Sequence, residues 1–423
     1  MRREPQNPPA VLLGGTANAL SAARSLGAVG VQVTILGDGV ADCLARRSRF
    51  CHRYVHFERS ESLHDRWLDC LERHGSSVVL PCCDAGALFL ARHRSAVAGF
   101  GHLPAEGNDE ATLVMLDKQR TYDKAAELGI GAPRTFTATS LGDAERALET
   151  GLSLPCAVKP TSSDVLLRRA PHFHRPKGAL FTNTDDLRTY VGALLAHDVG
   201  ALVTEVIPGS DDRYCSYNTY LDGESEPLVH FTKRKPRQYP PDFGLGTFHE
   251  TVWLPTVAET GLRFFQGIGA RGFANIEFKQ DERDGELKVI ECNPRFTMAN
   301  GLAVRAGVDF AVLAYDRVVG NERAPIVSFR EHLTLWFPPQ DVRAFRAYRA
   351  RGQLTTPAWL RTLARFPVFP TFSWRDPVPS LVGARSSLRR WWRRSRDRAS
   401  TSPGPHGGDH RGPSHVNSSA PVP

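Results

Sequence analysis

Phe273-Ala274-Asn275-Ile276-Glu277-Phe278-Lys279 and Leu287-Lys288-Val289-Ile290-Glu291-Cys292-Asn293, joined through Arg283-Asp284-Gly285, decide the reading of this chain. Strand alternation sets Asn275, Glu277 and Lys279 on one face of the first run and Ala274, Ile276 and Phe278 on the other; it sets Glu291 and Asn293 on one face of the second. Asp-Gly favours a hairpin turn, and a reversal there brings position 277 opposite 291, give or take one residue. Two carboxylates and an amide then converge as oxygen ligands for a hard divalent cation. An ordinary hairpin with a solvated acidic face fits the same letters, so the segments around it have to decide.

The chain has 423 residues, 41% of them hydrophobic and 23% charged, which is ordinary for a globular protein of two or three domains with a sizeable core. Its net charge of +8 points to nucleic acid only until it is located: residues 385–423 hold eight Arg against two Asp, leaving the rest of the chain at about +2. No specific nucleic-acid partner is expected. The eight cysteines form no CxxC pair and have no histidines at zinc-ligand spacing, so they are expected to be reduced thiols of a cytoplasmic protein. The N-terminus lacks a secretory apolar region, and no apolar run is long enough to span a bilayer.

Residues 10 to about 112 alternate strand and helix signals: Ala10-Val11-Leu12-Leu13, Gly14-Gly15-Thr16, a helix through Leu26, a strand ending at Leu36, and a later strand at Ser77 to Pro81. Gly14-Gly15 departs from GxGxxG, and a tight strand-to-helix turn explains it better than a dinucleotide site. From Asp117 the expected order is a helix Lys118 to Leu128, a strand Arg134 to Thr137, and a helix Leu141 to Thr150. A strand ending Cys156-Ala157-Val158-Lys159-Pro160, a polar loop, a helix Thr184 to Ala196 and a strand Ala201 to Ile207 follow. Residues 214–235 are expected to form a hairpin around Asp222-Gly223, Lys235 to Phe248 a loop, and Val257 to Ala270 and Leu302 to Val319 helices. An Arg- and Trp-rich extension begins after Pro325. Disorder is expected after Gly383, apart from a short helix at Leu388 to Arg398.

Lys159, at the end of an apolar strand, is a positive charge on a rigid element and suits nucleotide phosphates, although a snorkelling strand-end lysine is the alternative. Lys118 opens a helix, where the helix dipole disfavours a cation, and a bound phosphate would account for it. Arg295 lies two residues beyond Asn293 and either balances charge at a reacting phosphoryl group or pairs with Glu277 or Glu291. In the basic run Lys233-Arg234-Lys235-Pro236-Arg237, Arg234 and Arg237 are favoured for bidentate capture of a carboxylate or acyl phosphate. His172 and His174 have no third ligand at metal spacing, and Cys82-Cys83 has no visible base.

In order and spacing these pieces resemble the ATP-grasp superfamily, and within it the carboxylate–amine ligases, over residues 10 to about 320. The motifs that carry the resemblance are Asp117-Lys118 through Leu128-Gly129-Ile130, Cys156 to Pro160, Glu205-Val206-Ile207-Pro208-Gly209, and Glu291-Cys292-Asn293-Pro294-Arg295 with Glu277 upstream. The resemblance implies an α/β (α+β) class: an ATP-grasp fold with an N-terminal βαβ pre-ATP-grasp domain. The boundaries expected from it are 1–9 a flexible N-terminus, 10–112 the pre-ATP-grasp domain, 113–325 the ATP-grasp domain with a lid at about 120–204, 326–382 a C-terminal extension and 383–423 a basic tail.

The resemblance also implies that Lys118 and Lys159 contact ATP phosphates, that Glu205, Val206 and Ile207 meet the adenine, and that Asp212, with Asp211 as rival, holds the ribose. Glu277, Glu291 and Asn293 would bind Mg²⁺ or Mn²⁺, and Arg295 would act in catalysis. The expected partners are a small-molecule carboxylate and amine; a homodimer and an anionic membrane touched by the basic tail are left open. One departure stands out, since the loop after Lys159 lacks the glycines that cover the triphosphate in most relatives, with Ser162 and Ser163 as substitutes. A bicarbonate-using carboxylase, a non-catalytic nucleotide sensor and a dinucleotide oxidoreductase are the rival readings.

Overall fold

The computed structural model describes residues 7–15, 17–39, 43–58, 60–170, 172–174, 178–364 and 367–386. Of the basic tail expected at 383–423, residues 383–386 are described and are helical, contrary to the disorder expected after Gly383; the rest, with the helix expected at 388–398, lies outside the described residues. Among the described residues no helix is long and apolar enough to cross a membrane.

The first layer is a parallel sheet of β1 (Ala10–Leu13), β2 (Val33–Leu36), β3 (Arg53–Val55), β4 (Val78–Pro81) and β5 (Leu103–Pro104), in the order β3-β2-β1-β4-β5. β1, β2 and the first three residues of β4 are buried apolar runs, as expected for parallel strands covered on both faces by helices. Gly14 has φ +107, and a Cβ there would come 2.7 Å from Cys83 Sγ, so glycine is needed for the turn out of β1.

β6 (Thr135–Ala138), β7 (Cys156–Pro160), β8 (Ala179–Phe181) and β9 (Ala201–Glu205) form an antiparallel sheet in the order β6-β9-β7-β8. The helices Leu141–Glu149 and Thr184–Leu195 pack on it around a core of its own, including Val158, Leu187, Val191 and Val203. This is the lid. The stretch expected to be a polar loop after Lys159 contains a helix, Ser163–Arg169, because Ser162 caps it by accepting from the Val165 amide at 3.2 Å.

β10 (Tyr214–Leu221), β11 (Pro227–Tyr239), β12 (Leu245–Thr251), β13 (Gly272–Gln280), β14 (Leu287–Asn293) and β15 (Thr334–Trp336) form an antiparallel sheet in the order β14-β13-β10-β11-β12-β15. The helix Pro255–Gly267 covers one face, and Tyr217, Ile276, Phe278 and Phe265 fill the core between them.

Two further expectations are corrected here. The presumed loop from Lys235 to Phe248 is mostly strand: β11 runs on to Tyr239 and β12 begins at Leu245. Pro236 is accommodated because the pairing register shifts between Arg234 and Arg237, where no ladder amide is needed from it. The single helix expected over Leu302 to Val319 is two, Asn300–Ala306 and Phe310–Val318, since Gly307 adopts φ +102 and Asp309 caps the second by accepting from Val312 N. The segment after Pro325 supplies β15 to the large sheet, and Asp376 beyond it binds Arg24 at 2.9 Å and Ser48 at 2.7 Å, tying the extension to the first layer.

Candidate active site

β13 and β14 pair with Glu277 opposite Glu291 and Asn275 opposite Asn293, the register that the Asp-Gly turn suggests. Adjacent strands place Ser216 and Lys233 in the same row as Glu277, because directly paired residues share a face. Lys235 lies two residues along that face. Its ammonium sits 3.2 Å from Glu277 Oε2 and 4.1 Å from the centre of the Tyr214 ring. Lys118, first residue of the helix Lys118–Glu127, reaches Glu291 Oε2 at 3.8 Å.

The lid brings Lys159 to the same place. Burial, and next the neighbouring charge of Lys118, push its ammonium down to about 8 from an ordinary 10.5, with the carboxylates Glu291 and Glu277 opposing. Burial pushes the Glu277 carboxyl up, but Lys235 and Lys233 more than offset this and hold it below the ordinary carboxylate value. Lys233 is itself lowered, chiefly by burial. A lysine cluster of this density around two carboxylates is a site prepared for additional negative charge.

The donor set suits Mg²⁺. Asn293 Nδ2 donates to Asn275 Oδ1 at 2.9 Å and Asn275 Nδ2 donates to Asn218 Oδ1 at 3.1 Å, an amide ladder across three strands. The same Asn293 Nδ2 lies 3.5 Å from Glu291 Oε1, so the amide stands beside the carboxylate pair. Among the described residues no three or more His, Cys, Asp or Glu side chains gather as a metal cage. Mg²⁺ binds through one or two carboxylates and leaves its other positions to phosphates and water, so the pair of glutamates with one amide fits it.

Arg295 stands near this group with Nε 2.7 Å from Asp84 Oδ1, so its partner is neither Glu277 nor Glu291. Glu205 ends β9, but Arg283 holds its Oε1 at 2.7 Å and the Arg134 amide donates to its Oε2 at 3.1 Å. Lys279 Nζ donates to the Ile207 carbonyl at 2.8 Å, which fixes the linker Val206–Ile207 against the sheet end.

The other expected residues stand apart. Asp211 is buried, accepting from Gln238 Nε2 at 2.7 Å, from the Asp242 amide at 3.0 Å and from the Tyr348 hydroxyl. Asp212 lines a cleft on the opposite face of the sheet. Arg234 also faces that side, paired with Cys215 and not with the Glu277 row. Arg237 is buried in a two-point ion pair with Asp341, at 2.8 and 3.0 Å, and belongs to the packing of the C-terminal extension. The cations of this run that stand beside the glutamates are thus Lys233 and Lys235, which the choice of arginines passed over. Strand alternation through Lys233-Arg234-Lys235 carries the signal that would have found them.

No family model matches the chain. A D-aspartate ligase from Enterococcus faecium (strain Aus0004) is 23% identical over 240 residues, 53% of this chain and 56% of that protein, so the match spans little more than half of its relative. Among solved structures, N5-carboxyaminoimidazole synthetase from Staphylococcus aureus complexed with ADP superposes with a TM-score of 0.58 at 15% identity, over 79% of this chain and 82% of that one. An L-amino acid ligase from Bacillus licheniformis superposes with a TM-score of 0.56 at 15% identity, over 74% and 76% of the two chains. These superpositions, over about three quarters of this chain, give it the ATP-grasp fold.

Proposed function

We propose that the protein is an ATP- and Mg²⁺-dependent ligase that activates a carboxylate as an acyl phosphate and joins it to an amine, releasing ADP and phosphate. The observation that carries this reading is Glu277 facing Glu291 within a ring of Lys118, Lys159, Lys233 and Lys235. The activities of the similar proteins, a D-aspartate ligase and an L-amino acid ligase, support it, as does the ADP held by one similar structure.

Lys118 and Lys159 hold the triphosphate from the body and the lid, and the linker Val206–Ile207 receives the adenine through its backbone. A divalent ion held by Glu277, Glu291 and Asn293 would neutralise charge on the phosphates. A substrate carboxylate oxygen, steered by Lys235, attacks the γ-phosphorus; the bond to the β-phosphate oxygen breaks and ADP leaves. The amine nitrogen then attacks the acyl carbon, phosphate departs with the bonding pair, and the nitrogen loses a proton. Arg295 balances charge on the phosphoryl group in both steps. No protein nucleophile is required, because positioning and charge neutralisation supply the catalysis.

The test is to incubate the full chain with ATP, Mg²⁺ and pooled amino acids and to identify nucleotide and organic products. ADP with a new amide is expected. AMP with pyrophosphate, or no turnover with any pool, would overturn the reading.

A further inference from the structure

A second cleft, about 680 Å³ in volume, opens on the sheet face opposite the glutamates. Arg234 and Cys215 mark that face by their pairing, whereas Lys233, Ser216 and Glu277 occupy the other. Both connections to the lid border it: Gly129, Ile130 and Gly131 where the chain enters, and Ser210, Asp212 and Arg213 where it leaves. The volume lies within the roughly 300–1,000 Å³ typical of small-molecule sites.

The charge of the lining is uneven. Arg213, Arg234 and Arg263 all reach it, and among the described residues none of the three forms an ion pair. The carboxylates on the lining are already engaged: Glu286 is 2.8 Å from Lys288, and Asp212 accepts from the Ser210 hydroxyl. Arg213 is set in place by the linker itself, since Gly209 at φ +111 lets its stem pack where a Cβ would come within 2.6 Å of Arg213 Cδ. The first turn of the helix Pro255–Gly267, which has no capping side chain, forms part of the same wall.

We propose that this cleft binds a small organic anion with at least two negative groups, phosphate or carboxylate, clamped between Arg213 on the exit linker and Arg234 and Arg263 on the body. Guanidinium forks suit either group by two-point hydrogen bonding. An anion spanning linker and body binds differently to open and closed lids, so its occupancy biases lid closure. Binding itself stands apart from the ligase reading; only its effect on catalysis rests on that reading.

The test uses the full chain without ATP, substrate or added metal, in titration calorimetry with inorganic pyrophosphate in one arm and succinate in the other. The proposal expects one or both to bind, and Arg234→Ala and Arg263→Ala each to weaken binding about tenfold or more. Both side chains are exposed, so folding should be retained, as checked by circular dichroism. Lys159→Ala, on the other face, should leave this binding intact. Hydrogen exchange in residues 206–213 should slow on binding in the natural protein and not in the double arginine variant. Pyrophosphate alone binding identifies a phosphate ligand, and succinate alone a dicarboxylate. Failure of both probes, binding indifferent to the arginines or abolished by Lys159→Ala, or exchange unchanged by a bound probe would overturn the proposal.

Discussion

Glu277 stands directly across from Glu291 on neighbouring strands, and each carboxylate meets an ammonium group from a different part of the chain, Lys235 at 3.2 Å and Lys118 at 3.8 Å. The two carboxylates therefore stand beside cations that the triphosphate would also recruit. Glu291 is partly exposed and the hydrogen bond it accepts from Asn293 Nδ2 is long, at 3.5 Å, so Glu291→Ala should keep stability within about 0.5 kcal/mol. Turnover should fall by roughly 10²–10³-fold, the usual cost of deleting one group that stabilises transition-state charge. Chemical unfolding and product formation on the same preparation would check both halves.

Lys235 holds the Glu277 carboxyl below its ordinary value against the opposing effect of burial. A depressed carboxyl contributes its charge above the ordinary carboxylate range and loses it as pH falls through the depressed folded value. Lys235→Met removes the main opposing cation, so the acid limb of metal-dependent nucleotide binding should move to higher pH. An unmoved acid limb would show that Glu277 is not the group being titrated.

Lys159 has the opposite sign. Its ammonium is down at about 8 from 10.5, so in the nucleotide-free protein it loses its charge as pH rises through about 8. Between the two values the unfolded chain binds more protons than the folded one, and the Lys159 contribution to stability increases with pH across that window. ADP restores a charge partner, so its binding above pH 8 should take up a proton, measurable by calorimetry in buffers of different ionisation enthalpy. Lys159→Met should abolish the uptake.

Much of this was legible in the letters. Alternation and an Asp-Gly turn put Glu277 opposite Glu291, and the strand end at Lys159 and the helix start at Lys118 could be read from local pattern. What escaped was tertiary. Prolines at 236, 240 and 241 made β11 and its turn look like a loop, hiding that Lys233 and Lys235 share a face with Glu277 while Arg234 does not. Arg237 looked like a substrate clamp because nothing in its neighbourhood of the sequence announces Asp341, 104 residues away. The expected role of Asp212 fell to the same limit, since the side on which a short turn presents a carboxylate depends on the sheet it enters.

Asp341 accordingly should act on stability. It accepts from Arg237, Thr247, Trp336 and Trp359, at 2.8 to 3.0 Å, and is fully buried. Asp341→Ala leaves the Arg237 guanidinium buried without its partner, which should cost about 3–5 kcal/mol in urea unfolding. ADP affinity measured well below the melting temperature should be nearly unchanged. A stable but ADP-blind variant would contradict this and tie the Arg237–Asp341 pair to the nucleotide site.

The most direct measurement is a crystal structure with Mg²⁺ and a nonhydrolysable ATP analogue. The account predicts a metal ion between the Glu277 and Glu291 carboxylates, bridging to the phosphates, with the ammonium groups of Lys118 and Lys159 on phosphate oxygens. Those glutamates turned to solvent and a nucleotide seated elsewhere would contradict it.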